Sequence, residues 1–266
     1  MEPLPTLVAP RRPPAAFARG LPAGIVRQWL AAGWADFRAA LGANLAYGFF
    51  LLVLSLAVLA GLGAAGLMYL VLPAVAGFLI VGPFLAIGLY AQSRAREEGR
   101  RLGLGAMLLV RPAAGAQLAY AGLMLSLLVL FWLRTADLLY ALFFGLTPFP
   151  GAEHALINVL TTPRGWALIL VGSALGALFA AFAFAISLFS IPMLMSERRD
   201  ALTAMGLSFA MTAQNLRAVV AWGAVVAAGL ALSVATGLLG LVVVFPVLGH
   251  GTWHVFRSIH GTGPAR

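Results

Sequence analysis

Residues 218–248 read AVVAWGAVVAAGLALSVATGLLGLVVVFPVL. The run contains no ionisable side chain, and a bilayer core takes roughly 20 apolar residues per helix, so it is too long for one comfortable crossing. Thr236, Gly237 and Gly240 supply a tight turn in its middle. The reading is therefore two spans, at about 217–236 and 238–257. Four further apolar runs upstream, at about 44–65, 68–91, 116–134 and 165–191, bring the expected count to six. An even number places both ends of the chain on one side of the membrane.

Charge agrees with that parity. All 17 basic residues are Arg, and fifteen fall in the N-terminal segment, the stretch after about residue 92, the stretch around 198–217 and the C-terminal tail. Short loops rich in basic residues stay on the cytoplasmic side. Six spans put Arg94, Arg96, Arg100, Arg101, Arg111, Arg198, Arg199 and Arg217 on the side of the termini, and only Arg134 and Arg164 opposite. The expected architecture is an all-α polytopic membrane bundle: six transmembrane helices as three tandem helical hairpins, with cytoplasmic amphipathic helices and both termini cytoplasmic. Residues 1–24, with six Pro, read as a disordered cytoplasmic tail. Residues 25–258 read as the membrane domain and 259–266 as a C-terminal cytoplasmic tail.

Composition excludes several classes. The chain is 62% hydrophobic and 9% charged, where a soluble domain carries about 25% charged residues. A net charge of +9 would suggest nucleic acid in a soluble protein. Here the Arg clusters border apolar runs, so membrane lipids with anionic headgroups on the cytoplasmic side are the expected partners, together with a protein partner or a second copy of the chain, and no nucleic acid. The absence of Cys removes disulfides, thiolate catalysis and Cys-ligated metals.

The spans repeat a pattern. Outgoing spans open on an amide and Leu, Asn44-Leu45, Gln117-Leu118 and Asn215-Leu216, followed by Tyr47, Tyr120 and Trp222. Returning spans carry Pro83, Pro192 and Pro246, each with Leu two residues on. The first and third copies also align Gly88 with Gly251, Tyr90 with Trp253 and Arg94 with Arg257. Each hairpin has a lead-in segment. In the first, Val26, Leu30, Trp34, Phe37, Leu41 and Leu45 recur at helical spacing, while Arg27, Asp36 and Arg38 fall elsewhere on the wheel. A helix of this kind lies in the membrane interface, where Trp sits at headgroup depth and Arg reaches phosphates. Arg27, Trp34, Arg38, Arg94, Trp253 and Arg257 are the expected lipid-interface residues. Between the third and fourth spans, residues 135–165 add an outer segment with one or two short helices, after which Thr162-Pro163 caps the fourth span.

Few residues offer chemistry. His250 and His254 are four apart on one helix face, a spacing that suits a metal held by two imidazoles, but HExxH is absent and no third ligand is near in sequence. They remain weak metal candidates, and no cofactor is expected: a bis-His haem has no second ligand on another span. Arg134 and Asp137, three apart, form an ion pair at the outer end of the third span. No serine within a span has a base beside it in sequence.

Four blocks, GWADFRAALGANLAYG (33–48), VGPFLAIGLYAQSRAREEG (81–99), VLTTPRGWALILVG (159–172) and FPVLGHGTWHVFR (245–257), resemble the recurrent segments of a bacterial integral-membrane family catalogued as domain of unknown function 2189. The resemblance covers roughly residues 25–257 and implies a six-span inner-membrane protein. It brings no activity, substrate or cofactor. The functional expectation is a non-enzymatic, lipid-interacting scaffold or accessory subunit of a membrane complex. The rival readings are a transporter or channel for a small apolar or lipid-like solute and, behind it, a metal enzyme using His250 and His254.

Overall fold

The computed structural model describes residues 17–145 and 152–260, and every regular element among them is helical. In chain order the α-helices are α1 Val26–Ala39, α2 Leu41–Ala64, α3 Val71–Leu85, α4 Ile87–Glu97, α5 Leu104–Leu108, α6 Gly115–Phe144, α7 Ala152–Thr161, α8 Pro163–Ser187, α9 Ser190–Ser196, α10 Ala201–Gln214, α11 Leu216–Ala235 and α12 Leu241–His260.

Five stretches are long and apolar enough to cross a membrane: Leu41–Ala64, Pro73–Glu97, Gly115–Phe144, Pro163–Ser196 and Leu216–Ala235. The second joins α3 to α4 through a break at Ala86, just past Pro83. The fourth joins α8 to α9 through a break at Phe189, which leaves Pro192 in the first turn of α9, where its missing N–H has no helical partner to lose. The stretch expected as the sixth span forms the 20-residue helix α12, with Pro246 inside it, and it is not among the five. Its second half carries His250, Thr252, His254 and Arg257, and the first two are buried in protein. Composition alone therefore scores α12 as too polar for lipid.

The turn between α11 and α12 falls at residues 236–240, as the glycines require. Gly237 has φ +62° and Leu238 follows it into the left-handed region at φ +70°. The two helices then pack side by side: Trp222 Nε1 donates to Thr252 Oγ1 at 3.2 Å, and Gly229 faces Val244 and Leu248.

Packing is concentrated toward the Arg-rich end. Leu89, Leu125, Leu188, Phe189, Ile191, Met193, Trp222 and Val255 are fully buried there. Toward the other end α2 has no buried residue from Val53 to Ala64, and Val53, Leu54, Leu56 and Val58 are all exposed. Apolar surface of that extent requires lipid contact. Around the Arg-rich end, α1 packs on α12, α5 on α4 and α2, and α10 on α8 and α9. Backbones come close where glycine allows it: a Cβ on Gly33 of α1 would lie 2.5 Å from the Val247 carbonyl oxygen, and one on Gly48 of α2 would fall on the Val242 backbone.

Three sequence expectations change. Residues 17–24, expected within a disordered tail, are strapped to the bundle. The Ala18 N–H donates to Ile259 O at 3.0 Å, the Leu21 N–H donates to Asn215 Oδ1 at 3.2 Å, and Asn215 Nδ2 donates to Ala18 O at 2.8 Å. Phe17 and Leu21 pack against the core. Proline density reads as disorder only when no partner surface is waiting, and here α12 supplies one. The C-terminal tail is likewise shortened, because Ile259 and His260 complete α12. Residues 1–16 and 261–266 lie outside the described residues. The third change concerns α1, which buries Val26, Trp29, Gly33, Asp36 and Phe37 and leaves Leu30 and Trp34 open, as Leu41 is at the start of α2. The expected apolar stripe is thus divided between a protein-facing side and an open side. In the outer segment, α7 forms and packs on α8, while 146–151 lie outside the described residues. Thr162 Oγ1 accepts from the Gly165 N–H at 3.0 Å, with Pro163 at the first helical position, as expected.

Candidate functional site

The His pair sits at the centre of a polar clasp that joins α1, α2, α4 and α12. Tight packing at Gly33 and Gly48 brings these helices close enough for side chains distant in sequence to meet. Asp36 is the only acid on α1 and points inward, 7% exposed. Its Oδ2 accepts from Ser93 Oγ at 2.6 Å and lies 2.9 Å from His254 Nε2. Its Oδ1 accepts from Arg96 Nη1. Burial pushes the Asp36 carboxyl up, but the hydrogen bonds from His254 and Ser93 and the nearby imidazoles outweigh it and hold the group below the ordinary value of 3.8.

His250 is 1% exposed. Its Nε2 lies 3.1 Å from Asn44 Oδ1 and its Nδ1 2.7 Å from Ser93 Oγ. Asn44 Nδ2 donates to Phe37 O at 3.0 Å, which turns Asn44 Oδ1 toward the ring as an acceptor. His250 therefore donates through Nε2. Ser93 then has one hydroxyl proton and two neighbours that can accept it.

A second set of contacts flanks the first. Trp253 Nε1 donates to Glu97 Oε1 at 3.0 Å and Arg257 Nε lies 3.2 Å from Glu97 Oε2. Trp29 Nε1 donates to Ser258 Oγ at 3.0 Å. At the far edge His260 Nε2 lies 3.1 Å from Glu197 Oε1 and Arg199 Nε lies 2.7 Å from Glu197 Oε2. His260, despite the cost of burial, holds the Glu197 carboxyl at about 2.

The sequence-derived residues separate on this map. His250 and His254 come together with Asp36, which the sequence left on the polar side of its helix. Trp253 is buried against Glu97 and is 2% exposed, so it does not reach a lipid headgroup. Arg257 pairs with Glu97, and Arg94 pairs with Glu98 at 3.1 Å. Arg27, Arg38 and Trp34 remain on the open face of α1. Pro83, Pro192 and Pro246 lie in returning helices and touch none of this. Arg134 and Asp137 pair at 3.4 Å at the opposite end, as expected. Sequence reasoning missed Asn44 as a partner of His250, and also Ser93, Arg96 and Glu97. A usable signal was present in Ser93 and Arg96, three apart on one helix face, ahead of the only paired acids of the chain at 97 and 98.

Two chemistries are available in principle, and the geometry favours neither. Both His250 ring nitrogens already have partners, and no group of three His, Cys, Asp or Glu among the described residues could hold a metal ion. The Ser93–His250 contact resembles a nucleophile and base, but both are 1% exposed and so closed off from any substrate. What the cluster does mechanically is lock the first long helix onto the last.

The fold and this junction define a multi-pass α-helical membrane protein. Residues 70–196 match the model of the family described as "Predicted integral membrane protein (DUF2189)", the family that the four blocks resemble. Two of those blocks fall inside the match, while Asp36, His250 and His254 fall outside it. No curated protein and no solved structure matches the chain.

Proposed function

We propose that the chain is a non-enzymatic, lipid-interacting scaffold or accessory subunit of a membrane assembly. It crosses the bacterial inner membrane six times, as three tandem hairpins, with both termini in the cytoplasm. One observation carries the lipid reading. The three lead-in helices each keep an open apolar face at the Arg-rich end: Leu30, Trp34 and Leu41 around α1, Leu108 and Leu109 at α5, Leu202 and Phe209 on α10. An apolar face beside exposed Arg27 and Arg38 suits the headgroup boundary of an anionic leaflet.

The repeat is supported by two equivalent contacts. Gly88 meets the Tyr47 ring and Gly251 meets the Trp222 ring, where an added Cβ would sit 2.6 Å and 2.5 Å from ring carbons. The Tyr47 hydroxyl donates to Leu85 O at 2.7 Å, while Trp222 reaches Leu248 O through Thr252. The lead-ins also follow a cyclic order: α5 sits on the first hairpin, α10 on the second and α1 on the third. In this reading the Asp36–His250–His254 clasp closes the ring. Dense burial in the Arg-rich half, around Leu89, Phe189 and Trp222, supports the scaffold reading over the transport reading.

The test uses a chain with no native Cys. Nitroxide labels at Leu30→Cys, Trp34→Cys, Leu202→Cys and Phe209→Cys in liposomes should be relaxed by oxygen more than by a water-soluble nickel reagent. Preferential access of the nickel reagent at all four sites contradicts the interfacial assignment.

A further inference from the structure

At the opposite end of the bundle α3, α6 and α8, with Val159 of α7, line a half-open cavity of about 690 Å³. That volume lies within the range of about 300–1,000 Å³ typical of small-ligand sites. One wall is made of small residues, Gly172, Gly176, Ala177 and Ala180 of α8. Trp132 crosses the space between the helices: its Nε1 donates to Pro73 O at 2.9 Å and its ring lies against Gly176. Beyond it Ile80, Leu125 and Ala183 are fully buried, so the cavity ends blind. Its lining is apolar apart from the Ser173 hydroxyl and one end, where Asp137 and Tyr140 stand roughly one and two turns beyond Trp132 on α6. Asp137 is paired there with Arg134, which is largely exposed.

We propose that this cavity is a binding site for one acyl chain of a zwitterionic phospholipid of the outer leaflet. The chain lies along the small-residue wall of α8, and the headgroup meets the Arg134–Asp137 pair. Charge decides between lipid sources. A phosphate opposite Arg134 and an ammonium opposite Asp137 complement both members of the pair, whereas the carboxylate of a free fatty acid would meet Asp137 as a like charge. The site is separate from the clasp and from the lead-in helices, so either reading can fail alone.

The test is photocrosslinking. The full chain is reconstituted in phosphatidylethanolamine–phosphatidylglycerol vesicles doped with phosphatidylethanolamine bearing a diazirine at the end of one acyl chain. Labelling should concentrate on peptides covering 132–140 and 168–180 above the level on α2. Gly172 has open space where a side chain would project, so Gly172→Phe should take the volume of the acyl chain and cut that labelling about tenfold. Gly61→Phe, on the lipid-facing part of α2, should leave it unchanged. Ala136→Phe, from the facing wall, repeats the test should Gly172→Phe not accumulate as folded protein. Labelling no higher than on α2, or labelling that survives in every folded cavity-filling variant, overturns the site. Displacement of the phospholipid by excess free fatty acid overturns the assignment of its occupant.

Discussion

Replacing Asp36 with Ala tests the clasp directly. The variant removes a carboxylate that receives Ser93, His254 and Arg96. The Ser93 contact is buried and charge-assisted, a class that contributes about 1.5–3 kcal/mol. Arg96 is about half exposed at 46%, so its pair contributes only about 0–1 kcal/mol. The His254 side chain is 24% exposed and turns partly to water after the change. Ser93 is not orphaned, because its proton swings to His250 Nδ1, so the full penalty of an unsatisfied buried group is avoided. The net loss is about 2–3 kcal/mol, or about 5–10 °C in the melting temperature of a chain this size. Thermal unfolding in mild detergent, followed by intrinsic fluorescence, reads it. The pH dependence has a definite sign. The folded carboxyl lies below 3.8, so the unfolded chain takes up its proton first as pH falls. Its contribution is complete above that value and drains away as the pH drops toward the folded value, and Asp36→Ala should lack this segment of the profile. A melting temperature that is unchanged or higher in Asp36→Ala, as happens when a buried ion cluster is better replaced by apolar atoms, refutes the clasp as a stabilising element.

Other expectations follow from single contacts. Gly33→Ala drives a Cβ onto the Val247 carbonyl and the Gly251 N–H, so it should cost about 1–3 kcal/mol or more, while Gly61→Ala, with open space around it, should be neutral or mildly favourable; equal melting temperatures contradict the close approach of α1 and α12. Thr162→Ala removes the cap on the Gly165 N–H and should cost about 1 kcal/mol, with Thr162→Ser restoring it. Glu197 contributes stability above the ordinary 4.5 that falls away toward its folded value of about 2, so acid melts of Glu197→Gln should be flatter over that window than those of the parent. Purified protein should carry no stoichiometric zinc, and His250→Ala/His254→Ala should change nothing in metal analysis; a zinc equivalent lost in that variant would revive the metal reading.

The spans were legible because a run such as Leu45 to Leu62 has no reason to exist outside lipid, and the turn at Gly237 because the run there is too long. The face of α1 was not legible. Its apolar residues are divided between a side packed on the bundle and an open side, so the periodicity of Leu30 and Trp34 says nothing about which side meets protein. The His250–His254 spacing was visible, but its partners were not, since Asp36 and Asn44 are more than 200 residues away and meet it only through glycine contacts. The same polar contacts explain α12. His250 and Thr252 are buried in protein, and His254 and Arg257 are partly covered by Asp36 and Glu97, whereas a hydropathy reading treats all four as though they faced oil.

The central claim is that α12 crosses the membrane and returns the chain to the side on which it began. The absence of Cys allows a direct measurement: single cysteines at Arg38→Cys, Arg134→Cys and Arg217→Cys and one appended after Arg266, probed in intact cells with a membrane-impermeant maleimide before and after permeabilisation. The account predicts labelling of position 134 from outside and of the other three only after permeabilisation. Labelling of the appended cysteine from outside, with position 38 protected, would give five crossings and contradict it.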